Sequence, residues 1–445
     1  MIRFLLITGF LGILLLNILD ISNLGLVEPV FLVLFLLRSI RVKKDKILDL
    51  GTIYVVGQLL ISASNFQLSN FVTQGQSGGM YNYIVNDYIS EGLNIRFIGS
   101  LFFLIGYESL SKSRVLIRNT IDSNRVNLLL ILAGVIILNN HVFYFSLPGA
   151  FGSLLNWIPY ACIIMLARHA YLHDDASTRF KALGLMITLV ILAFLFAILR
   201  TEMLLPIISY FLGVFLAKPK VSFFLTPRFY PFYGSLVVFM LFFLAFQQIR
   251  STTYGSDRFT AIVQAQEVVE EDALDTEEKS GAFQRAADLA QITNVVDLKV
   301  NNKFNQGETL TVLAVALIPR VLWPGKPKIA LGVWFAIKIG KALPTDNGWY
   351  NTSINMTVPG HLWMELGYLG VIFGMFFIGL FYKFIWTSCG SLSEPLNFMG
   401  TLLCGFLLLT VLSGIGADLQ IVVTLLALFL IVLTLSNFIR FVSVK

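Results

Sequence analysis

The chain has 445 residues, of which 56% are hydrophobic and only 13% are charged, and its formal net charge is +6. A soluble protein of this length needs more charge to cover its surface, so the composition excludes an ordinary soluble fold. Apolar runs close to the roughly 20 residues that cross a bilayer recur along the chain. We therefore predict an all-α polytopic membrane protein with about twelve transmembrane helices.

The predicted spans, in chain order, are 2–19, 24–37, 47–64, 95–110, 126–145, 149–167, 182–199, 203–217, 233–249, 362–383, 397–414 and 420–438. The first span resembles a signal peptide, but no small-x-small cleavage site precedes Asp20, so we predict a retained helix. The spans divide the chain into three regions. Residues 1–248 hold transmembrane helices 1–9, residues 249–362 form a large loop, and residues 363–445 hold transmembrane helices 10–12.

Basic residues predict the orientation of these spans. If the N-terminus is cytoplasmic, the short inner loops carry clusters of Lys and Arg, whereas the outer loops 65–94, 146–148 and 415–419 carry none. This positive-inside pattern predicts cytoplasmic N- and C-termini and a large loop on the outer face. Arg96, at the outer start of the fourth span, departs from it. The net charge therefore reflects membrane orientation, and no nucleic-acid partner is expected.

The cysteines indicate neither a disulfide framework nor a metal site. Cys162, Cys389 and Cys404 fall in spans or in an inner loop, without zinc-ligand spacing, and are interpreted as packing residues. The outer segment 65–94 is rich in amides, glycine and tyrosine. It fits either a sugar-binding surface or an ordinary hydrated loop.

The large loop is predicted to form short helices along the membrane surface. After an acidic run at 267–278, residues 282–292 place apolar side chains at helical spacing. The apolar run 309–318 is too short to cross the membrane, and two prolines make 323–327 a rigid turn. Residues 329–341 have the pattern of an amphipathic interfacial helix.

Arg200 is the first candidate for chemistry. It ends an apolar run and begins a turn of a few residues on the outer side, where Arg is disfavoured. A cation at a low-dielectric boundary is costly unless it binds an anion. The alternative is an arginine that reaches the outer headgroups or pairs with Glu202.

Four cations of the large loop are further candidates: Arg258, Arg285, Arg320 and Lys326. The planar fork of arginine matches diphosphate oxygens, and Arg285 lies on the predicted loop helix. Acidic residues balance the loop's basic ones, so any anion site must be local, and each cation can also be an ordinary surface charge.

His361 and Glu365 lie four residues apart at the outer start of the tenth span, which places them on one helix face. An imidazole and a carboxylate there could deprotonate an acceptor hydroxyl. A buried glutamate could equally hydrogen-bond to neighbouring helices and cap them.

Three segments resemble the bacterial oligosaccharide repeat-unit polymerases, which build O-antigen and exopolysaccharide chains. Arg200-Thr201-Glu202-Met203-Leu204 looks like the family's arginine-containing turn. Ile318-Pro319-Arg320-Val321-Leu322-Trp323-Pro324-Gly325-Lys326-Pro327 is similar to its most specific segment, and Glu365-Leu366-Gly367-Tyr368-Leu369-Gly370 matches the Glu-x-x-x-x-Gly opening of the helix after the large loop. The chain departs from the family after Glu365, where an Asn-Phe-Gly ending is common.

The resemblance implies a GT-C-like membrane glycosyltransferase in the bacterial inner membrane. It would join polyprenyl-diphosphate-linked oligosaccharides on the outer face, with the lipid diphosphate as leaving group and no cofactor or metal. Arg200, Arg285, Glu365 and His361 would be catalytic, whereas Arg258, Arg320, Trp323 and Lys326 would bind substrate. Its partners would be the lipid bilayer and a chain-length-regulating protein.

Two alternatives remain open at the sequence level. His361 falls near an essential histidine of the related O-antigen ligases, although Leu362 replaces the Asn that usually follows it. A transporter or flippase for lipid-linked sugars would place charges inside the spans and show inverted repeats, and no repeat is evident.

Overall fold

The computed structural model describes residues 1–19, 24–43, 49–73, 84–110, 123–139, 150–196, 200–218, 288–303, 306–316, 323, 331–341 and 354–389, with single positions between 403 and 434. Every regular element within these ranges is helical. The predicted all-α class is therefore confirmed for the described part of the chain.

The described residues include twelve α-helices: α1 (Ile2–Leu16), α2 (Val27–Lys43), α3 (Leu50–Thr73), α4 (Ile89–Ser109), α5 (Ser123–Leu138), α6 (Ala150–Leu172), α7 (Ala176–Phe196), α8 (Arg200–Ala217), α9 (Leu289–Val300), α10 (Glu308–Ala316), α11 (Leu331–Lys338) and α12 (Val358–Cys389). Helices α9, α10 and α11 belong to the predicted large loop, and α12 begins a few residues before the predicted end of that loop. The span predicted at 233–249 lies outside the described residues, as does the acidic run 267–278. Positions within the last two predicted spans are helical where described.

In the part of the chain that the structure describes, three helical segments are long and apolar enough to cross a membrane: Asn86–Ser109, Ala176–Ala193 and Val358–Ser388. Shorter apolar helices, including Ile2–Leu16 and Leu205–Ala217, accompany them. These helices are consistent with a multi-pass helical membrane protein. The full number of twelve spans and the GT-C-like arrangement stay predictions.

Helices α4 and α12 form the closest helix pair of the bundle. A Cβ atom on Gly106 would lie 2.0 Å from the carbonyl oxygen of Phe376, and one on Gly379 would lie 2.2 Å from that of Phe103. Glycine therefore allows the two backbones to touch, as small residues do between membrane helices. Pro359 packs against Gly99 and Lys383 lies over Tyr107, so α4 and α12 run parallel.

The first three helices surround this pair with alternating directions. Gly12 contacts Phe97 and Gly9 contacts Leu101, so α1 runs antiparallel to α4. Helix α3 also runs antiparallel, because Gly51 near its start contacts Tyr107 near the end of α4. We call the end of the bundle where α4 and α12 begin the loop end, since the loop helices contact it, and the opposite end the far end.

Helices α5 to α8 pack around a core of their own, in which Cys162 is fully buried. The predicted packing role of this cysteine agrees with that position.

At the far end of the bundle formed by α1 to α4 and α12, the Tyr107 hydroxyl donates to Asp49, and Lys383 lies 3.5 Å from the same carboxylate. An ion pair and a hydrogen bond to Asp49, which precedes α3, thus join α3, α4 and α12 at the far end, opposite the loop helices.

Candidate functional site

The structure brings together two of the eight site residues predicted from the sequence. His361 and Glu365 lie in the first turns of α12, and both are buried, with 0% and 1% of their surface exposed. Trp323 is 40% exposed. Arg200 is the first residue of α8. The positions of Arg258, Arg285, Arg320 and Lys326 lie outside the described residues, so their predicted roles stay predictions.

A break in α12 exposes backbone acceptors beside Glu365. Gly367 has φ 68° and ψ −154°, a conformation that interrupts the helix and that only glycine adopts readily. Carbonyl groups one turn earlier therefore accept bonds from the loop. Lys299 Nζ donates to the Trp363 carbonyl at 2.6 Å, and Gln306 Nε2 donates to the Glu365 carbonyl at 2.7 Å.

The Glu365 carboxylate binds the N-terminus of α10. Its Oε2 accepts the Gly307 N–H at 2.6 Å, and its Oε1 accepts the Thr309 N–H at 3.2 Å as well as the Thr309 hydroxyl proton. A carboxylate is well suited to the positive end of a helix dipole. Of the two roles that the sequence left open, this geometry favours capping over proton abstraction.

His361 is joined to Glu365 through the same threonine. Its Nε2 lies 2.6 Å from Thr309 Oγ1. Because the Thr309 proton goes to Glu365, Nε2 must carry the hydrogen that it donates to Oγ1. Nδ1 is then the unprotonated nitrogen, and this buried atom has no hydrogen-bond partner. Thr309, which the sequence did not single out, therefore fixes the tautomer of His361.

Lys299 supplies positive charge beside this network. Its ammonium lies 4.8 Å from the centre of the Trp363 ring as well as on that residue's carbonyl. Burial lowers the pKa of Lys299, and the nearby Glu365 carboxylate opposes that shift. The cation therefore balances the charge of Glu365 without a direct ion pair.

A second buried polar network centres on Arg96, which is 3% exposed. Its Nε donates to Glu28 Oε2 at 3.0 Å, one terminal nitrogen donates to Gln58 Oε1 at 2.6 Å, and the other donates to Asp288. Ser100 donates to Glu28 Oε1 at 2.7 Å. Helices α2, α3 and α4 and the start of the loop helix α9 thus meet at one guanidinium group.

Asn65 of α3 completes the attachment of α9. Its Oδ1 accepts the backbone N–H groups of Asp288 and Leu289, both at 3.0 Å, and its Nδ2 donates to Asp288 Oδ1 at 2.8 Å. From the sequence, Arg96 was only an exception to the positive-inside rule, and Glu28 was not a candidate. Two opposite charges in neighbouring apolar spans were the signal that they pair.

The Arg96 network is not an anion site. Two carboxylates, those of Glu28 and Asp288, already contact the guanidinium group. With all three groups ionised, the network carries one surplus negative charge, which would repel a phosphate. We therefore assign Arg96 the role of holding α9 to the bundle.

Helix α9 connects the two networks. Asp288 precedes its first residue and Lys299 is in its last turn, so the networks lie about 16 Å apart along the helix axis at 1.5 Å per residue.

Helix α11 packs against the start of α10. Trp334 Nε1 donates to Glu308 Oε1 at 2.9 Å, and the Lys338 ammonium lies over the Trp334 ring. The loop helices are therefore linked to one another and to the loop end of the bundle.

Within the described parts of the chain, no three His, Cys, Asp or Glu side chains lie close enough to hold a metal ion.

Comparison of the chain with protein-family models, curated proteins and solved structures finds no match.

Proposed function

We propose that this protein is a membrane glycosyltransferase that polymerises oligosaccharide repeat units carried on polyprenyl diphosphate. The observation that carries the proposal is the attachment of loop helices α9 and α10 to the first turns of α4 and α12 by two buried polar networks. A glycosyl transfer at a membrane surface requires such a preorganised loop, because its cations must already surround the leaving group when charge develops.

The proposed reaction joins two lipid-linked chains. A hydroxyl oxygen at the non-reducing end of the incoming unit attacks the anomeric carbon of the growing chain. The bond from that carbon to the diphosphate oxygen breaks, the diphosphate leaves with the electron pair, and the hydroxyl loses its proton. Arg200 and Arg285 are the predicted partners of the diphosphate, and Arg258, Arg320, Lys326 and Trp323 are the predicted contacts for the rest of the substrate.

Within this proposal, His361 and Glu365 have different roles. The oxygens of Glu365 already accept bonds from Gly307 and Thr309, so Glu365 positions α10. His361 keeps an unprotonated Nδ1 and is the better candidate to receive the hydroxyl proton. Because His361 is buried, the loop must open before a substrate can reach that nitrogen.

The proposal is tested by a deletion strain, in which lipid-linked and surface glycans are separated on a gel. A polymerase predicts that single repeat units still reach the final acceptor while the ladder of longer chains disappears. Long chains stranded on the lipid carrier would identify a ligase instead. Single units confined to the inner face would identify a flippase.

Replacement of Arg200 by Ala sharpens the test. We expect the variant to lose chain lengthening while single units accumulate, because the leaving diphosphate would lack its cation. The matched control is Lys218→Ala, which removes an exposed cation immediately after the opposite end of the same helix. Long chains of normal length distribution in Arg200→Ala would contradict the assignment.

A further inference from the structure

Helices α9 and α10 have little stability of their own. They contain twelve and nine residues, and isolated helices below about 12–15 residues are marginal in water. β-Branched side chains, which disfavour helices, are frequent in both: Ile292, Thr293, Val295, Val296 and Val300 in α9, and Thr309, Thr311, Val312 and Val315 in α10. Their helical structure must therefore come from contacts with the bundle.

The N-terminus of α9 depends on a side chain of another helix. Asp288 occupies the N-cap position, but its carboxylate binds Arg96 and Asn65 and does not cap its own helix. The cap is Asn65 of α3, whose oxygen accepts the N–H groups of Asp288 and Leu289. Asn65 is 223 residues away in sequence, so this cap exists only while α9 is docked.

The N-terminus of α10 is built in the same way. The residue before it is Gly307, which has no side chain to supply a cap and adopts φ 85°. The carboxylate of Glu365, from α12, accepts the N–H groups of Gly307 and Thr309. Both loop helices thus receive their N-terminal caps from helices of the bundle.

The C-terminus of α9, in contrast, ends through its own sequence. Asn302 adopts φ 50°, and the Lys303 N–H donates back to the Leu298 carbonyl at 2.9 Å, as in a Schellman motif. The dependence on another helix is therefore specific to the N-termini, where the two networks lie.

We propose that α9 and α10 are helical only when docked, so that these two helices form a lid whose closing and helix formation are one event. Asn65 controls the α9 part and Glu365 controls the α10 part. When the caps are released, the two N–H groups that each cap holds lose their partners, and the short helices unwind. Opening of this lid would uncover the buried His361.

Hydrogen exchange of the full-length protein in lipid nanodiscs tests the lid. In the unmodified protein we expect the amides of α9 and α10 to exchange through local opening, much faster than those of Gly99–Tyr107 in α4. Equal protection of the loop helices and of this α4 segment would overturn the proposal without any substitution.

Two substitutions test the caps separately. We expect Asn65→Ala to speed exchange in α9 about tenfold, the size of a lost N-cap, with α10 unchanged. Glu365→Ala should do the reverse. The matched controls are Ser64→Ala and Thr387→Ala, which remove hydroxyl groups bonded to carbonyls of their own helices, those of Leu60 and Lys383.

The pattern across the four variants decides the outcome. Faster exchange confined to the helix that lost its cap supports the lid. Unchanged exchange in both loop helices would overturn it, because the caps would then not stabilise those helices. An equal increase in α9, α10 and α4 would also overturn it, because the side chains would then contribute only to overall stability.

Discussion

At the residue scale, the buried ionic network of Arg96, Glu28 and Asp288 is unequal in charge. One guanidinium group forms ion pairs with two carboxylates, and Gln58 and Ser100 add hydrogen bonds from neutral side chains. Removing one partner of a buried pair costs far more than replacing the whole group, because the remaining charge stays desolvated. The cost must therefore depend on which charge is removed.

We predict that Arg96→Met destabilises the protein severely, by about 3–5 kcal/mol, because both carboxylates are left without their cation. Glu28→Gln should cost clearly less, since Arg96 keeps Asp288. The measurement is the midpoint temperature at which purified protein in detergent loses its monodisperse gel-filtration peak. Arg38→Met, which removes an exposed arginine of α2, is the control and should leave the midpoint nearly unchanged.

A neutral version of the network completes this test. Arg96→Met combined with Glu28→Gln and Asp288→Asn removes all three charges, and we expect it to recover much of the stability lost in Arg96→Met. A triple variant that is less stable than Arg96→Met would show that charge imbalance is not the cause.

The sequence made part of this site predictable. His361 and Glu365 were expected on one helix face because they are four residues apart. In the structure both side chains contact Thr309 from the same face of α12. Their shared partner Thr309 is more than fifty residues earlier in the chain, and Asp288 is 192 residues from Arg96. Such pairings depend on how a loop folds back onto the bundle, which local periodicity does not encode.

At the element scale, the crossing of α4 and α12 depends on two glycines. Gly106 and Gly379 leave no space for a Cβ atom, because the nearest neighbour of each is a backbone oxygen of the other helix. A backbone cannot rotate away as a side chain can, so the helices would have to separate.

We predict that Gly106→Ala and Gly379→Ala each lower thermal stability, by about 1–3 kcal/mol, as overpacking does. Gly134→Ala in α5 and Gly184→Ala in α7 are matched controls, since a Cβ atom there meets nothing within 4 Å. Alanine is the better helix former by up to about 1 kcal/mol, so these controls should be neutral or stabilising. The four midpoints are measured side by side. Equal effects at all four positions would contradict close packing as the reason for glycine at 106 and 379.

Helix α3 shows where span prediction from the sequence falls short. Hydropathy placed its end at residue 64, whereas the helix continues to Thr73. The difference comes from the polar residues of its last turns, because they lower the hydropathy and so end the predicted span. In the structure Asn65 binds α9, and Ser69 donates to the Phe66 carbonyl of its own helix. Polar residues satisfied by protein partners extend a helix that composition alone would end.

At the scale of the whole molecule, the helix directions restrict the topology. Helices α1 and α3 run antiparallel to α4, whereas α12 runs parallel to it. The loop helices and residues 84–88, which lead into α4, therefore lie at the same end of the bundle. The positive-inside rule adds the compartment, because that segment carries no Lys or Arg, whereas the turn between α6 and α7 is followed by Arg179 and Lys181.

We therefore predict that the loop end is extracytoplasmic. In a background in which the three native cysteines are replaced by alanine, a membrane-impermeant maleimide should label Asn301→Cys, at the exposed end of α9, in intact cells. The same reagent should label His173→Cys, in the exposed turn after α6, only after the membrane is permeabilised. Both sites are exposed, so a difference between them reports the side of the membrane and not burial. Labelling of His173→Cys alone in intact cells would invert the topology. A transfer reaction at the loop end would then have to use substrates on the cytoplasmic face, and the proposed polymerisation on the outer face would fail with it.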